Sequence, residues 1–96
     1  MRIEWSANAL ADRRALIEYL EARSIAAAIL IDDRIDAAFE LLRGFPEAGR
    51  MGRIAGTREL VVHGTPYVAA YCIENDTVVV LALIHAARDW PDTLPD

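Results

Sequence analysis

Three apolar runs follow one another closely between Gly56 and Arg88, and this crowding constrains the fold more than any other feature. The runs are Glu59–Val62, Tyr67–Ile73 and Thr77–Ile84, and they are rich in the Val, Ile, Leu and Tyr that favour strands. The first break contains Gly and Pro and the second contains Asn and Asp, all of which favour turns. Connections this short join only antiparallel neighbours, so the sequence predicts a three-stranded meander.

The segment before the meander predicts one short strand and two helices. Arg2–Trp5 alternates between polar and apolar residues, as a strand does. Ser6 and Ser24 are suitable N-caps for helices over Ala7–Arg23 and Ile25–Arg43. Both helices carry an apolar stripe at helical spacing, formed by Leu10, Ile17 and Leu20 in the first helix and by Ala28, Ile31, Ile35, Ala38 and Leu42 in the second.

These elements follow one another in the order β-α-α-β-β-β. Two helices joined by so short a break form a hairpin, and their apolar stripes need a surface to cover. The first strand cannot be stable alone, so it should pair with the meander. We therefore expect an α+β fold with a mostly antiparallel, four-stranded sheet and the helical hairpin packed on one face. The most apolar run, Thr77–Ile84, should be a central strand.

The length of 96 residues predicts one domain, in which residues 89–96 form a C-terminal tail that caps the fold or frays. No apolar run approaches the roughly 18 residues of a membrane span, so we expect no membrane association. The opening segment, MRIEW, does not resemble a signal peptide. The single cysteine, Cys72, lies inside an apolar run and fits a core position. We expect a cytoplasmic protein.

The basic residues are all arginines, and the formal net charge is −5. An acidic chain is a poor binder of phosphate backbones, so we expect no direct DNA binding. However, Arg50, Arg53 and Arg58 lie within nine residues of one another and could form a local positive patch. The alternative is that these arginines are solvated or paired with acidic residues.

Candidate catalytic residues are few. The sequence lacks a glycine-rich phosphate loop and a cluster spaced for metal binding, and we expect neither cofactor nor metal. His85 and Arg88 leave the sheet together, near the predicted entry of Arg58. Histidine suits acid–base chemistry at neutral pH, and arginine suits phosphate binding. The alternative is structural: His85 hydrogen-bonds a loop, and Arg88 pairs with Asp89 or Glu59.

Features spread over nearly the whole chain occur together in a characteristic order. They are Trp5 with Ala9 and Leu10, Tyr19, Phe45-Pro46, Gly49-Arg50, the segment 56–61, Tyr67 with Tyr71, and Val78–Ile84 leading into the segment 85–91. In this order and at this length, they make the chain resemble the ParE/RelE superfamily of bacterial type II toxin–antitoxin toxins. The resemblance implies the same β-α-α-β-β-β fold that the periodicity predicts.

The resemblance implies two different activities. RelE-like members are ribosome-dependent endoribonucleases that cut mRNA, whereas ParE-like members poison DNA gyrase. This chain lacks lysine, is acidic, and has Pro66-Tyr67 where the nucleases often place an arginine. These departures favour a gyrase inhibitor without a catalytic site. The alternatives are an mRNA endoribonuclease that uses Arg58, His85 and Arg88, and a toxin-fold binding module that has lost its toxicity.

The resemblance also implies an antitoxin partner, whose C-terminal segment wraps the toxin and folds on binding. The helical hairpin and the sheet are the expected docking surfaces. The residues predicted to bind the antitoxin or the target are Arg50, Arg53, Arg58, Tyr67, Arg88 and Trp90. One geometric criterion separates the two activities: a nuclease should bring Arg58, His85 and Arg88 into one concave, positively charged pocket.

Overall fold

The computed structural model of the chain describes residues 1–88, 90, 91 and 94, and it contains two helices and one sheet. The strand order is β1-β5-β4-β3-β2. In chain order, the elements are β1 (Arg2–Trp5), α1 (Ala7–Glu21), α2 (Ile25–Gly44), β2 (Arg50–Met51), β3 (Arg58–Val61), β4 (Tyr67–Glu74) and β5 (Thr77–His85).

The meander predicted from the sequence is confirmed. Strand β4 pairs antiparallel with both β3 and β5, and it forms the longest hairpin of the sheet with β5. The pair Glu74↔Thr77 closes this hairpin. The two turn residues, Asn75 and Asp76, have φ values of 48° and 60°, a left-handed conformation that Asn and Asp tolerate better than most residues.

The predicted sheet of four strands is wrong in its count, because the sheet has five. The additional strand, β2, consists of Arg50 and Met51 and pairs with the start of β3. Two residues are too few to show a strand period, so the sequence pattern could not reveal them. Strand β1 pairs with β5 in parallel, because the helical hairpin returns the chain to the end of the sheet from which β1 starts.

Both helices begin at the predicted serines. Ser6 Oγ accepts a hydrogen bond from Ala9 N at 3.0 Å, and Ser24 Oγ accepts one from Ala27 N at 3.1 Å. The predicted apolar stripe of α1 is only partly correct, since Leu10 is 49% exposed. Among the described residues, no helix is long and apolar enough to cross a membrane.

The core lies between the helical hairpin and one face of the sheet. It is built mainly from α2, β4 and β5, with Trp5 and Phe39 in edge contact at a ring-centroid distance of 4.4 Å. The buried cluster consists of Ala9, Ile35, Ala38, Phe39, Leu42, Val62, Ala69, Tyr71, Val78, Val80 and Leu83.

The second face of the sheet is also covered, although neither α1 nor α2 lies on it. Val68, Ala70 and Ala82 are at most 2% exposed, and they alternate with the residues that face the helices. The described residues after β5 approach this face: Trp90 stacks against Arg53, and a cleft lined by Pro91 and Leu94 also contacts Ala82. Of the predicted tail, residues 89, 92, 93, 95 and 96 lie outside the described residues.

Candidate functional site

The structure distributes the residues singled out from the sequence over three places. The second face of the sheet carries Arg50, Arg53 and Trp90. The loop that follows α2 is held by Arg58. The C-terminal end of β5 brings together Tyr67, His85 and Arg88.

The first group surrounds a buried carboxylate, Glu59, which is 3% exposed. Its Oε2 accepts hydrogen bonds from Arg53 N at 2.9 Å and from Arg53 Nε at 3.2 Å, and its Oε1 accepts one from Arg50 Nη2 at 3.0 Å. The Arg53 guanidinium also stacks on the Trp90 ring, 3.6 Å from its centroid. Glu59 therefore joins β3, the loop before it and the segment after β5. We call these four residues the Glu59 cluster.

The ionisation of Glu59 reflects this environment. Burial raises the pKa of the carboxyl, because it disfavours the charged form. The hydrogen bonds from the Arg53 backbone and from the two guanidinium groups outweigh burial, so that the pKa lies below its ordinary value. Glu59 is consequently a charged anchor for two arginines.

Arg58 performs a different task. It lies opposite Tyr71 in the sheet, and its Nη1 donates hydrogen bonds to Gly49 O at 2.9 Å and Glu47 O at 3.3 Å. Tyr71 Oη holds the same loop, accepting from Gly49 N at 2.9 Å and donating to Pro46 O at 2.7 Å. A Cβ at Gly49 would lie 2.6 Å from Tyr71 Oη, so the contact requires glycine. Arg58 thus secures the loop after α2.

The third group lines a cleft of about 540 Å³ between α1 and the end of β5. Tyr67 and His85 face each other across the β4–β5 pairing, and their rings are in edge contact at 5.4 Å. Arg88 lies three residues beyond His85, and it forms no ion pair with any residue that the structure describes. The other lining residues are Asp12, Ala15, Leu16, Tyr19, Leu83 and Ala87.

The hydrogen bonds of His85 fix its tautomer. Its Nδ1 accepts a hydrogen bond from Ala87 N at 3.1 Å, while its carbonyl accepts one from Arg88 N at 3.1 Å. Because Nδ1 is the acceptor, the neutral ring carries its proton on Nε2. His85 therefore offers a hydrogen-bond donor, and its turn positions Arg88 beside it.

Strand β5 is irregular beside this cleft. Ala70 pairs with Ala82 and Tyr71 with Val80, so that Leu81 is the extra residue of a β-bulge. Strand β1 ends opposite Val80, and side chains at the start of α1 take over the exposed edge. Leu81 O accepts hydrogen bonds from Ser6 Oγ and Asn8 Nδ2, and Leu83 N donates to Asp12 Oδ2 at 3.0 Å.

Asn8 and Asp12 gave no signal of a role in the sequence, although Asp12 lines this cleft and both bond to the edge of β5 beside it. A polar residue in the first turns of a helix usually faces water, and the pattern held no signal that α1 lies against a strand edge. Only the pairing of β1 with β5, together with the bulge, creates the edge groups that these side chains satisfy.

The predicted proximity of Arg58 to His85 is wrong. Their partners on β4 are Tyr71 and Tyr67, which are four residues apart and thus about 13 Å along the strand. Strands β3 and β5 are both antiparallel to β4, so the start of one and the end of the other lie at opposite ends of the sheet. The cleft therefore unites His85 with Arg88 but does not include Arg58.

The helical hairpin carries an exposed apolar surface. Along α2 and the loop after it, five large apolar side chains are between 45% and 68% exposed, namely Ile25, Ile29, Leu30, Leu41 and Phe45. The last two line a shallow pocket of about 500 Å³ with residues 46–48. Exposed apolar groups of this size are typical of protein-binding sites.

Comparisons with known proteins agree with this architecture. A family model for the ParE toxin of the type II toxin–antitoxin system parDE matches residues 3–90. The putative toxin Y4kP of Sinorhizobium fredii is 39% identical over 93 residues, which cover 97% of this chain and 96% of the relative. Toxin RelE2 of Caulobacter vibrioides is 37% identical over 87 residues, 91% of this chain and 97% of the relative.

The fold is also found in a solved structure. A chain from the chromosomal ParDE TA system of P. aeruginosa superposes with a TM-score of 0.76 over 88% of this chain and 95% of that chain, at 21% identity. Together, these matches define the class, a toxin of a type II toxin–antitoxin system. Within that class, the chain belongs to the ParE toxin family. Its partner is accordingly an antitoxin.

Proposed function

We propose that this chain is a ParE-like toxin that inhibits DNA gyrase by binding it and that is neutralised by its cognate antitoxin. The observation that carries the proposal is the separation of the basic side chains. Arg58 is bonded to the carbonyls of Gly49 and Glu47, while His85 and Arg88 lie at the opposite end of the sheet. Cleavage of RNA at phosphorus needs positive groups around one reacting centre.

The chemistry of the cleft also supports a binding function. A nuclease needs an unprotonated group to take the proton of the attacking hydroxyl. The unprotonated nitrogen of His85 is Nδ1, which already accepts a hydrogen bond from Ala87 N. Asp12 adds a carboxylate to the same cleft, and its charge opposes the approach of a phosphate. The net charge of −5 opposes approach to ribosomal RNA as well.

The exposed apolar surface of α2 fits this function, because both gyrase and an antitoxin are protein partners. Arg50 and Arg53 remain available to such partners. Their side chains are 59% and 46% exposed despite their bonds to Glu59, so each can also contact an acidic side chain of a partner. Arg58, Tyr67, Arg88 and Trp90 complete the proposed binding residues.

A second candidate is a RelE-like mRNA endoribonuclease. Two observations favour it: His85 and Arg88 share one cleft, and the relative from Caulobacter vibrioides is named toxin RelE2. In this case His85 would donate a hydrogen bond from Nε2–H to the phosphate, and Arg88 would neutralise the phosphate charge.

The decisive experiment is a supercoiling assay with purified gyrase and increasing amounts of the free chain. We expect supercoiling to be lost and cleaved DNA to accumulate, whereas the chain already bound to its antitoxin should have no effect. Unchanged gyrase activity would contradict the proposal. Cuts in ribosome-bound mRNA would then establish the second candidate, and the Arg88→Ala variant should abolish them. If neither activity is observed, the chain is a binding module that has lost its toxicity.

A further inference from the structure

The end of β5 presents two main-chain groups on the side that faces away from β4. Ala86 N donates to Pro66 O at 2.8 Å, which shows that the main-chain groups of residue 86 point toward β4. Because these groups alternate in direction along a strand, those of His85 and Leu83 point away from β4. Leu83 N confirms the direction, since it donates to Asp12 Oδ2 on that side.

Strand β1 does not reach this part of the edge. It ends at Trp5, opposite Val80, so no strand among the described residues lies beside Leu83 and His85. Asp12 takes the Leu83 N–H, and Arg88 N donates to the His85 carbonyl. Within the part of the chain that the structure describes, the two outward groups without a hydrogen-bond partner are the Leu83 carbonyl and the His85 N–H.

The spacing of these two groups specifies the direction of an added strand. In a parallel ladder, a residue of one strand bonds to two residues of the neighbouring strand. Its N–H donates to the carbonyl of the first, and its carbonyl accepts from the N–H of the residue two positions later in that neighbouring strand. A single residue opposite Ile84 would thus donate to Leu83 O and accept from His85 N. This strand would run parallel to β5, as β1 does, and would continue the line of β1 along the sheet.

The side chains beside this edge favour an acidic peptide. Two connected clefts, of about 540 and 300 Å³, share Asp12, Leu83, His85 and Arg88, and they form a groove along the end of β5. Of the side chains that line this groove, those of His85 and Arg88 offer donors that suit a carboxylate, namely Nε2–H and the guanidinium. Leu16 and Tyr19 provide an apolar wall on the α1 side.

We propose that an extended acidic segment of the antitoxin adds a short strand parallel to β5 at Leu83 and His85 and places a carboxylate against His85 and Arg88. This inference rests on the proposed function only in that the antitoxin supplies the segment. A peptide fits the groove better than a nucleic acid because the outward main-chain groups of Leu83 and His85 match the N–H and the carbonyl of one residue in an extended chain.

The main-chain part of the proposal can be tested by amide hydrogen exchange, measured by NMR for the free chain and for its complex with the antitoxin. We expect the exchange of the His85 amide to slow at least about tenfold in the complex, because its N–H gains an acceptor. The Ala86 amide, already bonded to Pro66 O, is the internal control and should change little. An equal change at both amides, or no change at His85, would refute strand addition.

The charge part can be tested by comparing Arg88→Glu with Arg14→Glu, since Arg14 is an exposed α1 residue that does not line the groove. We expect the Kd for the antitoxin to rise at least about tenfold for Arg88→Glu and to stay nearly constant for Arg14→Glu. Equal effects would overturn the proposal. Gyrase inhibition by the unmodified free chain is measured separately. A failure of the proposed gyrase inhibition can then be distinguished from a failure of the proposed antitoxin site.

The same variants distinguish a peptide from a nucleic acid. A short single-stranded RNA oligonucleotide is titrated into the unmodified chain and into Arg88→Glu. We expect no binding that depends on Arg88. Saturable binding that disappears in Arg88→Glu would assign the groove to RNA and would overturn the peptide assignment.

Discussion

The Glu59 cluster and the groove at the end of β5 both contain arginines, but they use them in opposite ways. Arg50 and Arg53 are bonded to a carboxylate that is 3% exposed. Arg88 has no ion-pair partner among the described residues, and the main-chain groups beside it lack a neighbouring strand. Positive charge in the cluster is therefore bonded to the fold even where it is partly exposed, whereas the charge of Arg88 in the groove stabilises no described ion pair.

The largest effect should come from Glu59→Gln. This change removes the charge that holds Arg50 and Arg53, and breaking a buried ion pair costs about 3–5 kcal/mol. Because both arginines are half-exposed and water can solvate them, we expect the free energy of unfolding to fall by about 2–3 kcal/mol. Urea denaturation measures this loss, and Glu18→Gln on the exposed side of α1 is the control.

The contribution of Glu59 should depend on pH. Since its pKa in the folded chain lies below the ordinary value of 4.5, the stabilisation is complete above pH 4.5 and is lost as the pH falls through the folded pKa. The stability difference between the unmodified chain and Glu59→Gln should accordingly shrink on acidification. A difference that stayed constant from pH 6 to about pH 3 would show that Glu59 acts through packing rather than charge.

Tyr71→Phe should have the next largest effect. It leaves the Gly49 N–H without its acceptor and the Pro46 carbonyl without its donor. The Tyr71 hydroxyl that bonds them is buried, and this burial raises its pKa. We expect the free energy of unfolding to fall by about 2 kcal/mol. Thermal or urea unfolding checks this, with Tyr19→Phe as a control because Tyr19 is 53% exposed.

A smaller effect is expected for Asp12→Ala, which tests how the groove is held. The change removes the acceptor of Leu83 N and one partner of Asn8. We expect a loss of about 1 kcal/mol in the free energy of unfolding and faster exchange of the Leu83 amide. Unchanged exchange at Leu83 would mean that the edge is protected by something other than Asp12.

The smallest effect on stability is expected for Arg88→Ala, within about 0.5 kcal/mol, because this exposed side chain has no ion pair to lose among the described residues. Antitoxin affinity should nevertheless fall. Denaturation and binding titrations on the same samples measure the change in stability and the change in antitoxin affinity separately. A loss of stability as large as that of Arg53→Ala would remove the contrast between the groove and the Glu59 cluster.

Much of the fold could be predicted because its elements are long enough to show a period. The meander and both helices were found in this way, and Ser6 and Ser24 fixed the helix starts. Strand β2 could not be found, since two residues carry no period. The exposure of Leu10 was also unpredictable, because it depends on the angle at which α1 lies on the sheet.

The site was predicted less completely. His85 and Arg88 were expected to lie together because they are neighbours in sequence, and both line one cleft. Arg58 was expected beside them, but the directions of β3 and β5 place it at the other end of the sheet. Glu59 was considered only as a partner for Arg88, but it anchors Arg50 and Arg53 instead. Such pairings depend on register and on the path of the chain after β5, and neither is encoded in local periodicity.

The parallel pairing of β1 with β5 has a consequence for the synthesis of this toxin. The first strand to leave the ribosome takes the last strand as its neighbour, so the sheet cannot close until nearly the whole chain is available. A product that terminates before Thr77 leaves β1 without a partner and the edge of β4 open, which favours degradation or aggregation. We therefore expect a chain that lacks β5 not to form the folded toxin.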